Sequence, residues 1–72
     1  MMLNQPVEIA PSARNGQFIT WPGNKFQPSG WIVGESADGA WFYVNGQSKD
    51  AVGYDFMVSR RAIIEGIVEV KI

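Results

Sequence analysis

Four acidic side chains are the first candidates for chemistry in this sequence. Glu35 and Asp38 lie three residues apart before a glycine, and Asp50 and Asp55 flank a second polar stretch. Two carboxylates can share acid–base work when their surroundings push their pKa values apart, one staying protonated while the other ionises. Exposed turn positions do not supply that asymmetry, and Asp38 before Gly39 is accounted for as a turn former. The chain has neither histidine nor cysteine, so triad hydrolysis, thiolate attack and histidine or cysteine metal ligation are excluded. The glycine-bounded stretch Gly34-Glu35-Ser36-Ala37-Asp38-Gly39 lacks the Lys and following Ser/Thr of a phosphate-cradling loop. These residues predict no catalytic site, no cofactor and no metal.

A second group of residues is suited to contact. Trp41 and Tyr43 alternate along one short run, Ile32 lies in the run before it, and Arg60-Arg61 follow a third. Trp, Tyr and Arg are the side chains that most often dominate protein interfaces. If Ile32, Trp41 and Tyr43 face outward, they form an apolar patch beside Arg60 and Arg61. The segment Val7-Glu8-Ile9 adds another contact, either as a first strand or as an arm that extends a partner's sheet through Val7 and Ile9. Base stacking on Trp41 and Tyr43, with Arg60, Arg61, Lys25 and Lys49 on phosphates, is the alternative reading. The charge balance opposes it. Six basic residues against seven acidic give a net charge of −1, whereas affinity built on phosphate neutralisation calls for a basic face.

The elements that must position these groups are strands. Seventy-two residues allow one domain, 1–72, with 1–14 as an N-terminal arm. A chain of this size buries only about 60% of the surface it exposes when unfolded, so its core must be dense. Hydrophobic residues make up 46% and charged residues 18%, a globular balance. Turn signals at Asn15-Gly16, Pro22-Gly23, Pro28-Ser29-Gly30, Asp38-Gly39 and Asn45-Gly46 separate short β-rich runs at 7–9, 17–21, 31–36, 41–45, 52–58 and 67–72. This spacing predicts an all-β domain with one short helical turn: a small SH3-like barrel or a strongly curled antiparallel sheet. The longest apolar run, Ala40 to Val44, is far too short to span a membrane. The first residues carry no secretory pattern. A cytoplasmic monomer is the expectation.

Within that frame, a tight hairpin around Asp38-Gly39 pairs Glu35 with Phe42, Val33 with Val44, Ser36 with Trp41 and Gly34 with Tyr43. A loop of Ala37 to Ala40 keeps these pairs, and a one-residue slip exchanges the faces of one strand. Ser59 can cap a helical turn over 60–65, with Gly66 stopping it in the left-handed region. Val68, Val70 and Ile72 then alternate with Glu69 and Lys71. The predicted core is Phe18, Trp31, Val33, Phe42, Val44, Phe56, Ile64, Val68 and Val70.

In overall character (very short, cysteine-free, slightly acidic and rich in aromatic residues) the chain resembles small bacteriophage-encoded regulators that bind host bacterial RNA polymerase. The resemblance covers the whole chain and rests on no particular spacing, so it assigns no residue. It implies a non-enzymatic protein that blocks promoter recognition and promotes read-through of terminators by occupying a large host complex. A phage structural or assembly component is a further alternative.

Overall fold

The computed structural model describes residues 13–71; the predicted strand with Val7 and Ile9 lies outside them. Five strands and one short helix follow in the order β1 (Phe18–Thr20), β2 (Ser29–Glu35), β3 (Trp41–Asn45), β4 (Phe56–Ser59), α1 (Arg60–Ile64) and β5 (Glu69–Val70). The strands form one antiparallel sheet in the order β4-β3-β2-β1-β5. It curls into a half-barrel around its buried face, the all-β architecture that the turn spacing predicts. The helix carries the chain from one edge of the sheet to the other, so β5 can pair with β1. Among the described residues no helix is long and apolar enough to cross a membrane.

Alternation within each strand decides what is buried. Phe42 and Val44 of β3 face inward with Phe56 and Val58 of β4. Ile19 joins them from β1 and Ile32 from β2, and Ile63 and Val68 close the open side. Trp21 lies against Phe56 with ring centroids 6.4 Å apart. Gly30 is needed because β2 and β3 approach closely there. A methyl at this position would lie 2.6 Å from Val44 Cγ1 and 2.8 Å from the Asn45 carbonyl oxygen.

The central hairpin departs from the predicted register at one residue. Glu35↔Phe42 and Gly34↔Tyr43 pair as expected, but the next pairs are Ile32↔Val44 and Trp31↔Asn45, leaving Val33 as a bulge. Ser36 and Trp41 face each other across the longer loop Ala37 to Ala40, with the Ser36 N–H donating to the Trp41 carbonyl at 2.9 Å. One extra residue in a strand changes which side chains beyond it reach the core. Ile32 is therefore fully buried, and Val33 and Trp31 are only partly so. This corrects the expectation that Ile32 faces a partner. Phe18 is also corrected. Ile19 takes the inward position of β1, and Phe18 packs edge-on against Trp31 at 4.9 Å.

The last third of the chain follows its local signals closely. Ser59 is the N-cap, its hydroxyl accepting the Ala62 N–H at 3.0 Å, and Gly66 has φ +81° just past the helix. Five helical residues can turn only one isoleucine inward. Ile63 is buried and Ile64 is exposed, which reverses the predicted placement of Ile64. The cap should be measurable: Ser59→Ala is expected to cost about 1 kcal/mol, read as a lower urea midpoint with an unchanged slope.

The predicted run 52–58 is strand only from Phe56 onward. Upstream of it, polar side chains hold a loop. Asn45 Oδ1 accepts from the N–H groups of Gln47 and Ser48, its Nδ2 donates to the Gly53 carbonyl, and Asp55 Oδ2 accepts the Gly46 N–H at 2.7 Å. Such side-chain bonds offer the backbone an alternative to the ladder. Likewise β5 is shorter than 67–72, because Ile67 and Val68 donate to the Ala62 carbonyl rather than to a strand.

Candidate functional site

Three of the four carboxylates singled out in the sequence, Glu35, Asp38 and Asp55, are tied into the fold by hydrogen bonds or an ion pair. Asp38 Oδ1 accepts from the Ser36 hydroxyl at 2.6 Å and from the Ala40 N–H at 3.0 Å. The Ser36 bond, and after it the Ala40 bond, hold the Asp38 carboxyl below its ordinary range. Because the folded-state value is depressed, its contribution to stability is present at neutral pH and is lost as pH falls through the folded value. A carbon-detected NMR titration should place the Asp38 midpoint below the ordinary aspartate value, and Ser36→Ala should move it part of the way back, because the Ala40 N–H bond remains. Glu35 is paired with Arg60 at 2.8 Å and Asp55 supports its loop, so no two carboxylates share a site. Among the described residues no group of three or more potential ligands gathers for a metal ion.

The predicted contact residues separate into three roles. Arg60 is a clamp: its Nε donates to the Gly39 carbonyl at 2.7 Å, its Nη2 meets Glu35, and its guanidinium lies 4.7 Å from the centre of the Phe42 ring. It ties the β2–β3 turn to the start of α1 and shields the core end. Tyr43 faces outward but is covered by Tyr54, with ring centroids 4.7 Å apart. The partner of Tyr43 therefore comes from the β3–β4 loop. Trp41 and Arg61 remain available.

Trp41 stands 43% exposed at the start of β3. Its backbone is fixed on both sides, by Ser36 in the hairpin and by Ser59 of β4 in register opposite it. Beside it opens a cleft of about 440 Å³ lined by Ala40, Trp41, Ser59, Arg60, Arg61 and Ile64. Ile64 forms one apolar wall and is 58% exposed. Arg61 stands over the cleft, paired with Glu65 at 3.1 Å across one helical turn and with 81% of its side chain in solvent. An exposed ion pair of this kind contributes little to stability, so Arg61 can exchange its partner at small cost. Sequence reasoning found Trp41 and Arg61 but placed Ile64 in the core, where a five-residue helix has room for one isoleucine.

The two edges of the sheet differ. β5 has two residues, and its Glu69 forms an ion pair at 3.7 Å with Lys71 just beyond the strand. β4 carries no charge or proline, and among the described residues only β3 pairs with it. Charge and brevity are the usual protection of an edge, and β4 has only the second. Met57, exposed on the outer face of β4, sits opposite Tyr43 and extends the apolar surface away from Trp41.

A second apolar feature has no counterpart among the predicted site residues. Phe26, in the β1–β2 loop, is 92% exposed. It borders a second cleft of about 420 Å³ between that loop and the β3–β4 loop, at the end of the sheet away from Trp41. Composition marked Phe26 only as one of nine aromatic residues; its exposure is a product of the loop's hydrogen bonds. Comparison with protein-family models, curated proteins and solved structures yields no match to this chain.

Proposed function

We propose that this chain is a non-enzymatic protein-binding module that engages its partner through the Trp41 cleft. The observation that supports this reading is a half-exposed indole on a backbone fixed from both sides, at the mouth of an apolar cleft rimmed by Arg61. Rigid aromatic anchors beside an arginine are the usual energetic centre of an interface, and a side chain that is already ordered loses little entropy on binding. The resemblance to phage regulators supplies the partner: bacterial RNA polymerase in the host cytoplasm, with initiation inhibited and terminators read through.

Purified bacterial RNA polymerase, as core and as holoenzyme, tests both parts. Immobilised protein is expected to retain the enzyme, and Trp41→Ala to weaken retention by roughly 30-fold or more, the loss of a hot spot of about 2 kcal/mol. Transcription from a promoter and across a terminator should change with the wild-type protein and not with the variant. No retention by the wild type removes the polymerase. Equal retention by Trp41→Ala moves the contact away from the cleft.

A further inference from the structure

The molecule carries an apolar projection without a socket and an apolar socket without a projection. The projection is Phe26. Its loop is built to hold it out: Asn24 Oδ1 accepts the N–H groups of Phe26 and Gln27, both at 3.0 Å. The Asn24 N–H in turn donates to the Trp21 carbonyl at 3.1 Å, and the Trp21 N–H to the Pro28 carbonyl at 2.6 Å. Side-chain-to-backbone bonds of this type fix a loop locally, so the backbone from which the ring projects is held in place. The socket is the Trp41–Ile64 cleft. The Phe26 loop meets the sheet at Ser29, beside the Asn45 end of β3, and the cleft lies at the Trp41 end. One copy therefore cannot fill its own socket, but a second copy can.

We propose that the protein associates head to tail with a second copy of itself, Phe26 of one copy occupying the Trp41–Ile64 cleft of the next. Charge supports this occupant. Lys25 is the only charged residue between Trp21 and Pro28. The charged lining of the cleft is Arg60 and Arg61, already paired with Glu35 and Glu65, and Asp38 accepts the N–H of the lining residue Ala40. The remaining carboxylate, Asp38, meets no cation among the described residues and offers Lys25 a counter-charge. Two different patches meet in this contact, so it is heterologous and propagates to rings or filaments rather than closing as a two-fold dimer. One ring in one cleft is a small interface beside a standard one, and the association is correspondingly weak. The inference does not depend on any foreign partner; such a partner would compete with Phe26 for the same cleft.

Sedimentation equilibrium tests it. The weight-average mass is expected to be monomeric at about 10 µM and to climb steadily toward about 1 mM, the range of a small apolar contact. Phe26→Ala removes the projection, and Ile64→Lys blocks the socket and opposes Lys25. Both residues are exposed, so the thermal midpoints should stay within a degree or two of wild type while each variant alone remains monomeric. The two variants mixed in equal amounts should form a one-to-one dimer and stop, because Phe26→Ala keeps the socket and Ile64→Lys keeps the projection. A wild-type protein that stays monomeric throughout overturns the proposal. So does self-association that survives either substitution, or a mixture that shows no dimer.

Discussion

Phe42→Ala is expected to lower the urea midpoint of unfolding steeply. Phe42 is the largest fully buried side chain, placed where the inward faces of β2, β3 and β4 meet. Truncating a core phenylalanine costs about 3–5 kcal/mol. A domain of this size is worth roughly 4–10 kcal/mol in total, so one ring accounts for a large share. The loss extends beyond the cavity, because the Arg60 guanidinium packs over that ring. Removing the ring takes one of three anchors from the clamp on the β2–β3 turn. Urea unfolding followed by tryptophan fluorescence reads the change, and a midpoint close to wild type would place Phe42 outside the core. Phe42→Leu, which preserves most of the volume, should lose much less.

Ile32→Ala and Val33→Ala are expected to differ sharply, and their order tests the bulge. With Ile32 opposite Val44 and Val33 unpaired, Ile32→Ala should cost about 2–5 kcal/mol. Val33→Ala, at a partly buried position, should cost about 1 kcal/mol or less. A regular hairpin would give the opposite order, because Val33 would then face Val44. Measuring both in one background cancels uncertainty in the unfolded state, which the adjacent positions share. Equal costs, or the reverse order, would mean that β2 is continuous through Val33.

These expectations bear on how surface and core divide in so small a molecule. Eight side chains form the buried cluster, and the bulge decides that Ile32 is among them. The exposed apolar surface includes the Trp41–Ile64 cleft at one end of β3 and Phe26 near the other. Each can be altered without touching the cluster, so binding and folding can be separated by mutation. Few 8 kDa domains would tolerate such changes if their aromatic residues were all structural.

The sequence by itself determined whatever depends on neighbours along the chain. Glycine and proline punctuation separated the strands seen among the described residues, Ser59 and Gly66 bounded the helix, and the lack of histidine and cysteine removed chemistry that needs an imidazole or a thiolate. Phe42, Val44, Phe56 and Val68 were identifiable as core because alternation within an unbroken strand has a fixed phase. Only the tertiary structure decided the phase across an irregularity. The Val33 bulge brought Ile32 inward, the single turn of α1 selected Ile63 over Ile64, and β1 presented Ile19 rather than Phe18. In each case two adjacent apolar residues competed for one inward position, and local preference does not distinguish them. Contact with strands distant in sequence does. The same cause fixed the surface: Arg60 became a clamp because Glu35 and Gly39 came to lie beside it, and Ile64 became a cleft wall because Ile63 had filled the core.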